Sequence, residues 1–376
     1  MPMKAIFIFN KTEQGSRGHQ LITPFRALIE AFGYSWYTAP GLADAELARL
    51  ESTGIIQFVT TANIDAFIFG ARNVMLPPRK KTNNQIIAYF ASHIFISPDV
   101  GLSRGGLLLL ALLVGGDYHK GLPGCGVRLA HAVARGPLGD DLLREVLQHS
   151  EVTTEFLEFL RSWRVALAHE FATDPDGYLG SKHKAIARTI MASSFPDVRV
   201  LYLYVHPVTS WSENYSPPAY QSWGVADPNL KEIASFCQRQ FRWKAPQISA
   251  HFSKHLYSGI AMQSLLKPHD LHAQLESHVN FGVSHDGELP SSSILRIVAA
   301  KRTPATKIYQ LEISTGTLAL RAKSGLRDAS AFPVAALMRV WIPAPIIDRV
   351  LPGLVSRSKA AAQLKKTHKS KPYSRT

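Results

Sequence analysis

Short apolar runs alternate with amphipathic stretches along the first 100 residues. Ala5 to Phe9 is an unbroken apolar run that reads as a buried strand. Phe25 to Phe32 reads as a helix. Residues 43 to 53 place Ala43, Leu47 and Leu50 on one helical face before Gly54 closes the segment. Ile55 to Thr60 forms a second apolar run, ending at Thr61-Ala62-Asn63-Ile64-Asp65. Strand–helix–strand alternation predicts an α/β fold with a parallel sheet, whose sites lie at the carboxyl ends of strands. Asn10, Asn63 and Asp65 fall there. From Leu102 to about Ala192 the spacing is helical, and Val198 to Tyr204 reads as extended. Pro207, Pro217, Pro218 and Pro228 mark an irregular stretch, followed by helical spacing over 229–266. Residues 275–322 carry strand-like segments, chiefly Ile294 to Ala299 and Lys307 to Ile313, with a turn at Thr315-Gly316. Arg339 to Pro345 leads into a last short helix. No internal repeat is visible.

One turn stands out from this pattern. Gly115-Gly116-Asp117-Tyr118, then Gly121-Leu122-Pro123-Gly124-Cys125-Gly126, lies between the apolar run Leu107 to Val114 and a helical stretch from Val127 to Val133. Glycine-rich turns between helices leave backbone N–H groups without side-chain cover, so a phosphate can approach closely. An aspartate at the mouth of the turn could hold a metal ion over that phosphate. Read alone, the segment is equally a tight helix–helix turn with a capping aspartate.

Charge narrows the choice of partner. The 376 residues carry a formal net charge of +14, which favours a polyanion such as nucleic acid. Half of the excess sits at the end: Ser356 to Thr376 holds seven Lys and Arg and no acid. That tail reads as a disordered basic segment, either solubilising or directed to DNA contact or nuclear import. Two cysteines far apart, Cys125 and Cys237, give no disulfide framework and no Cys-type zinc site. No run reaches the roughly 18 apolar residues of a membrane span, so a soluble intracellular protein is expected.

Several segments, in order, resemble the XPG/flap-endonuclease family and its Holliday-junction-resolvase branch. Thr38 to Glu46, Thr-Ala-Pro-Gly-Leu-Ala-Asp-Ala-Glu, is similar to the family's internal motif Ala-Pro-Gly-Glu-Ala-Glu-Ala. Thr61 to Gly70 resembles its Asp-x-Asp motif preceding Phe-Gly, and 115–126 resembles its helix-two-turn-helix. His206 to Trp211 and Trp341 to Pro345 resemble the chromodomain-like extension of the resolvase branch. The resemblance covers most of residues 5–355. It implies a partial PIN-like nuclease core over 1–100, a helix-two-turn-helix and helical DNA-binding region over 101–195, a chromodomain-like α+β domain over 196–355, and the basic tail 356–376. Branched or flapped DNA is the implied partner, bound by Gly121, Gly124, Gly126, Lys120 and Arg128 with a K⁺ ion on backbone carbonyls. The family dimerises on junctions, acts in the nucleus in repair and recombination, and hydrolyses phosphodiesters with Mg²⁺.

The departures bear on that chemistry. The family's first strands, with their own metal-binding aspartate, have no counterpart before Ala5, so an N-terminally truncated member is expected. The family's Phe-Asp-Gly aspartate is Asn10 here, the first motif glutamate is Leu42, and the first aspartate of Asp-x-Asp is Asn63. Asp44, Asp65 and Asp117 keep acidic positions. Two Mg²⁺ ions about 4 Å apart repel several-fold more strongly than the ~4 kcal/mol of a unit-charge pair at a dielectric near 20. A ring of carboxylates must offset this, and Asn or Leu cannot. A weak or lost Mg²⁺ site is therefore expected.

Other constellations are thinner. Arg79, Lys80 and Lys81 form a second basic cluster or a solvated loop. His251, His255, His269 and His272 lack the partners of a zinc site. Trp211, Trp223, Trp243 and Trp341 suggest either core packing or a methyl-lysine cage. Three functions compete: a non-catalytic junction or flap binder, an active structure-selective endonuclease completed by a longer gene product, and a chromodomain-like protein-interaction module.

Overall fold

Among the described residues the strands gather into three small sheets, and the buried apolar residues into two separate cores. The computed structural model describes residues 4–11, 19–76, 86–224, 226–266, 293–304, 306–329, 331–334 and 337–369. Two compact units result. One comprises Ile8–Glu13 and Tyr37–Ser222; the other comprises Met1–Phe7, Gln14–Trp36 and Trp223–Thr376. This division differs from the boundaries at 100 and 195 expected from sequence. It falls between 222 and 223, and it assigns residues 14–36 to the C-terminal unit.

Strand β1 (Ile6–Phe9) pairs with β2 (Ser35–Thr38), and the boundary between units runs through both strands. Helix α1 (His19–Ala31) lies between them in sequence and belongs to the C-terminal unit. In the first unit, α2 (Ala43–Ser52) leads to β3 (Val59–Thr60), which pairs parallel with β4 (Asn73–Leu76). Strand β5 (Ile87–Phe90) adds antiparallel to β4, so the sheet is mixed where sequence implied a parallel one. The expected strand over 55–60 shrinks to two residues. Ile55 and Ile56 instead donate backbone N–H groups to Leu50, wrapping the end of α2.

The described residues of this unit continue with helices α3 (Ala91–Ile96), α4 (Arg104–Val114), α5 (Val127–Ala134), α6 (Leu138–Gln148), α7 (Thr154–Thr173), α8 (Lys184–Ala192) and α9 (Val198–Val205). Helix α4 is apolar almost all round, and Leu108, Leu109, Leu112 and Leu113 are at most 1% exposed. Each contributes about 1.5–3 kcal/mol by burial, which fixes the helix leading into the glycine turn. The extended reading of 198–204 fails. Asp197 accepts from the Arg199 N–H at 2.9 Å and starts a helix that buries Val200, Leu201, Tyr204 and Val205 at helical spacing.

In the C-terminal unit, α10 (Leu230–Gln240), α11 (Ala245–His251), a π-helical turn (Phe252–Leu256) and α12 (Tyr257–Leu266) pack with α1, whose Leu28 and Ala31, with Phe32 just after it, lie against the core. Strands β6 (Ile294–Arg302), β7 (Lys307–Ser314) and β8 (Leu337–Pro343) form an antiparallel sheet in that order. Residues 315–316 begin helix α13 (Gly316–Ser324) and do not make a hairpin turn. Helix α14 (Ala344–Val350) follows β8. The chain does not become irregular at 356: α15 runs Pro352–Lys369. Its first turns are anchored by buried Leu354 and Val355. Arg79 to Lys81, His269, His272 and the last seven residues lie outside the described residues.

Candidate functional site

Three aspartates from different segments of the first unit share one electrostatic environment. Asp44 occupies the first turn of α2, where the helix dipole favours a carboxylate. Leu42, at the N-cap of α2, has no oxygen to offer the free N–H groups. Asn10 supplies one from beyond β1, its Oδ1 accepting from Ala43 N–H at 2.7 Å. The residue expected to be a lost metal ligand is thus a helix cap.

Asn63 has a double role at the end of β3. Its Oδ1 accepts from Asp65 N–H at 3.0 Å and starts a 3₁₀ turn over Ile64–Phe67. Its Nδ2 donates to Asp44 Oδ2 at 3.1 Å, while Thr61 Oγ1 donates to Asp44 Oδ1 at 2.9 Å. Both oxygens of half-buried Asp44 therefore accept from neutral donors. Asp65 Oδ2 accepts from the Tyr204 hydroxyl of α9 at 3.4 Å. Burial raises the Asp65 carboxyl above its ordinary 3.8; the Asp117 charge raises it further and Asp44 adds to that, while the Tyr204 hydrogen bond works the other way. Tyr118, beside Asp117, packs edge-on to Tyr204 with ring centroids 5.1 Å apart. Burial and then the charges of Asp65, Asp117 and Asp44 push the Tyr118 phenol up to about 12. The same causes, led by burial and Asp65, raise Tyr204.

This donor set does not fit a two-ion centre. Among the described residues no group of three His, Cys, Asp or Glu side chains stands close enough to hold a metal ion. Asp117 is exposed, Leu42 contributes no donor and Asp44 is already bonded. Glu46 of the same motif is fully buried, and accepts from Tyr37 Oη at 2.6 Å and Ser210 N–H at 2.9 Å. It braces the fold.

The glycine turn forms as the sequence implied, between α4 and α5. Gly115 closes α4 with φ of +93°, and Gly121 has φ of +73°. A Cβ on Gly121 would lie 2.4 Å from the Val114 carbonyl carbon, so both backbone conformation and space require glycine. Gly116 N–H donates to His119 O at 3.0 Å, and Leu122 N–H to Leu113 O at 2.8 Å. Past these bonds the chain opens outward. Lys120, Gly124, Gly126 and Arg128 are exposed, Gly126 has nothing near its Cβ direction, and α5 starts without a side-chain cap. Its first N–H groups and two cations face solvent together, an arrangement suited to phosphate oxygens.

Sequence reading missed Tyr204, Tyr118 and Thr61 in the acidic cluster. For Tyr204 a signal existed: Asp197 after Pro196 is a helix-start pattern. Of the four tryptophans singled out, Trp341 is exposed and Trp211, Trp223 and Trp243 are only partly buried. Lys301 Nζ sits 4.4 Å over the Trp341 ring, His251 stacks on Trp243 at 4.3 Å, and Arg49 lies 5.7 Å from Trp211.

Comparison with known proteins places these features. Residues 33–117 match the XPG I-region. The mouse (Mus musculus) DNA excision repair protein ERCC-5 is 28% identical over 224 residues, 60% of this chain and 17% of that protein. The Arabidopsis thaliana flap endonuclease GEN-like 1 is 35% identical over 122 residues, 32% of this chain and 20% of that protein. The chain therefore spans a fifth or less of the length of these relatives. A solved structure of the Holliday junction-resolving enzyme GEN1 with product DNA and a Mg²⁺ ion matches with TM-score 0.68 at 24% identity, covering 96% of this chain and 82% of that one. A structure of eukaryotic junction-resolving enzyme GEN-1 binding potassium matches with TM-score 0.68 at 25% identity, over 95% and 81%. The α/β nuclease fold with mixed sheets is common to them.

Proposed function

Because the chain belongs to the XPG/flap-endonuclease family, we propose that it binds branched or flapped duplex DNA and that its phosphodiester-cleaving centre is impaired. The observation that carries the binding half is the joint exposure of Lys120, Gly124, Gly126 and Arg128 on one rigid turn. GEN1 holding product DNA in a similar fold supports the same reading. The impaired centre follows from Asn63 and Thr61 occupying Asp44, with Leu42 and Asn10 neutral. In this reading Asp44, Asp65 and Asp117 do not by themselves hold a catalytic Mg²⁺ pair, and no cleavage step is routed through one. K⁺ on the turn's carbonyl oxygens is part of the proposal, supported by the potassium-bound GEN-1 structure. So are a nuclear location, pairing of two chains on a junction, and a chromodomain-like role for the antiparallel β6–β7–β8 sheet with α14 after it.

The test is fluorescence anisotropy with a flapped duplex and a four-way junction across a salt series. Lys120→Ala with Arg128→Ala lowers affinity for both and flattens the salt dependence by about one counterion per lost phosphate contact. Unchanged affinity refutes the turn as the binding element. Nicking of a labelled junction in Mg²⁺ is expected to be absent. Robust nicking that Asp65→Asn abolishes refutes the impaired centre.

A further inference from the structure

A cavity of about 410 Å³ opens in the first unit, lined by α2, the segment after the 3₁₀ turn, the start of α4 and residues 205–212. Its polar lining includes Arg49, Arg104, His206, Thr209, Trp211 and Ser212, and no carboxylate lines it. Arg104 is held in place by donation from Nε to Ile68 O at 2.8 Å. Neither Arg49 nor Arg104 has an ion-pair partner among the described residues, whereas Arg72 and Arg144 of the same unit do. Glu46, on the same helix as Arg49, is taken up by Tyr37 and Ser210. A largely buried guanidinium with no counter-charge is costly, and an entering anion would offset that cost.

The volume argues against a lone inorganic anion. It is more than ten times the roughly 30 Å³ share of one liquid water, within the range of small-molecule sites. The Trp211 indole offers an aromatic plane beside the Arg49 guanidinium. Thr209 and Ser212 flank it, with the Ser212 hydroxyl accepting from Thr209 N–H at 3.0 Å. Two unpaired guanidinium groups and an indole in one concave site form a recognition set for a phosphate joined to a flat base.

We propose that this cavity is a mononucleotide site, taking a terminal nucleotide of single-stranded DNA with its phosphate on Arg49 and Arg104 and its base on Trp211. The site is separate from the glycine turn, so its occupancy needs neither branched DNA nor the binding mode proposed above.

Isothermal titration of the full chain with thymidine 5′-monophosphate tests this, with inorganic phosphate and a phosphoserine peptide as the other titrants. Saturable nucleotide binding about tenfold tighter than inorganic phosphate is expected, the base contributing one stacking contact. Trp211→Leu should erase that preference, and Arg49→Ala should weaken both nucleotide and phosphate about fivefold or more. Arg49 is exposed, so this variant keeps the unfolding temperature of the parent and serves if an Arg104 variant does not fold. No saturable nucleotide binding to about 1 mM overturns the proposal. So does equal affinity for phosphate and nucleotide, or tighter binding of the phosphopeptide.

Discussion

Replacing Asn63 with a carboxylate tests whether the acidic cluster has been rebuilt as a metal-free structural element. The substitution, Asn63→Asp, keeps the oxygen that accepts from Asp65 N–H but removes the Nδ2 donor to Asp44 Oδ2, 3.1 Å away. A carboxylate there places like charges close together. At 4 Å and an effective dielectric of 20 such a pair costs about 4 kcal/mol, and side-chain rotation into solvent relieves part of it. Losing the hydrogen bond removes about 0.5–1.5 kcal/mol more. A net loss of about 2–4 kcal/mol is expected at neutral pH, measured by urea unfolding with m held equal to the parent's. Each crowded carboxyl in the variant has its folded pKa raised, so the folded state binds more protons than the unfolded one. The penalty therefore shrinks as pH falls through the raised folded value and is gone below the unfolded value. A divalent cation gives a second readout: if the introduced carboxylate completes a binding site, Mg²⁺ at 100 times its Kd restores about 2.7 kcal/mol. An Asn63→Asp variant as stable as the parent at neutral pH, with no gain on acidification, refutes the reasoning.

Asp65→Asn should stabilise the protein at neutral pH, because Asp65 has a raised folded pKa and the amide removes the charge that burial and Asp117 disfavour. The gain should vanish as pH falls to the ordinary 3.8, in a melting-temperature series against pH. Gly121→Ala forces a side chain into a left-handed backbone and against the Val114 carbonyl. A loss of about 2 kcal/mol or more is expected by urea unfolding, and a loss under about 0.5 kcal/mol would show that the turn relaxes. Deleting residues 356–376 spares buried Leu354 and Val355. It should weaken binding to linear, flapped and four-way DNA alike and lower the salt slope; a selective loss for one shape counts against a purely electrostatic tail.

The sequence was legible where local chemistry and tertiary demand agree. The apolar face of α2, the apolar length of α4 and the glycines at 115 and 121 each have a local cause, and the structure keeps them. Legibility failed where packing decides. Val198-Arg-Val-Leu-Tyr-Leu-Tyr has the β-branched and aromatic content of a strand, yet Asp197 and burial on one side make it α9. Tyr204 could enter the cluster only through that helix. The roles of Asn10 as a cap and of Asn63 as a donor to Asp44 depend on contacts 33 and 19 residues away in sequence, which no local pattern records.

Helix α1 completes a core made otherwise from residues beyond 229, where Leu28, Ala31 and Phe32 meet their partners. This sets a timetable for the nascent chain. At about 5–20 residues per second, α1 leaves the ribosome roughly 10–40 s before α10 is complete, and Leu28, Ala31 and Phe32 lack their core partners in the interval, although Phe25 can already meet Phe7. The first unit can fold meanwhile, since nearly all of it lies between the two parts of that core. Translation speed across residues 37–222 should then govern yield more than speed anywhere else. Slow codons there lengthen the exposure of α1, and a chaperone that holds an amphipathic helix for those seconds shortens the list of ways the chain can fail.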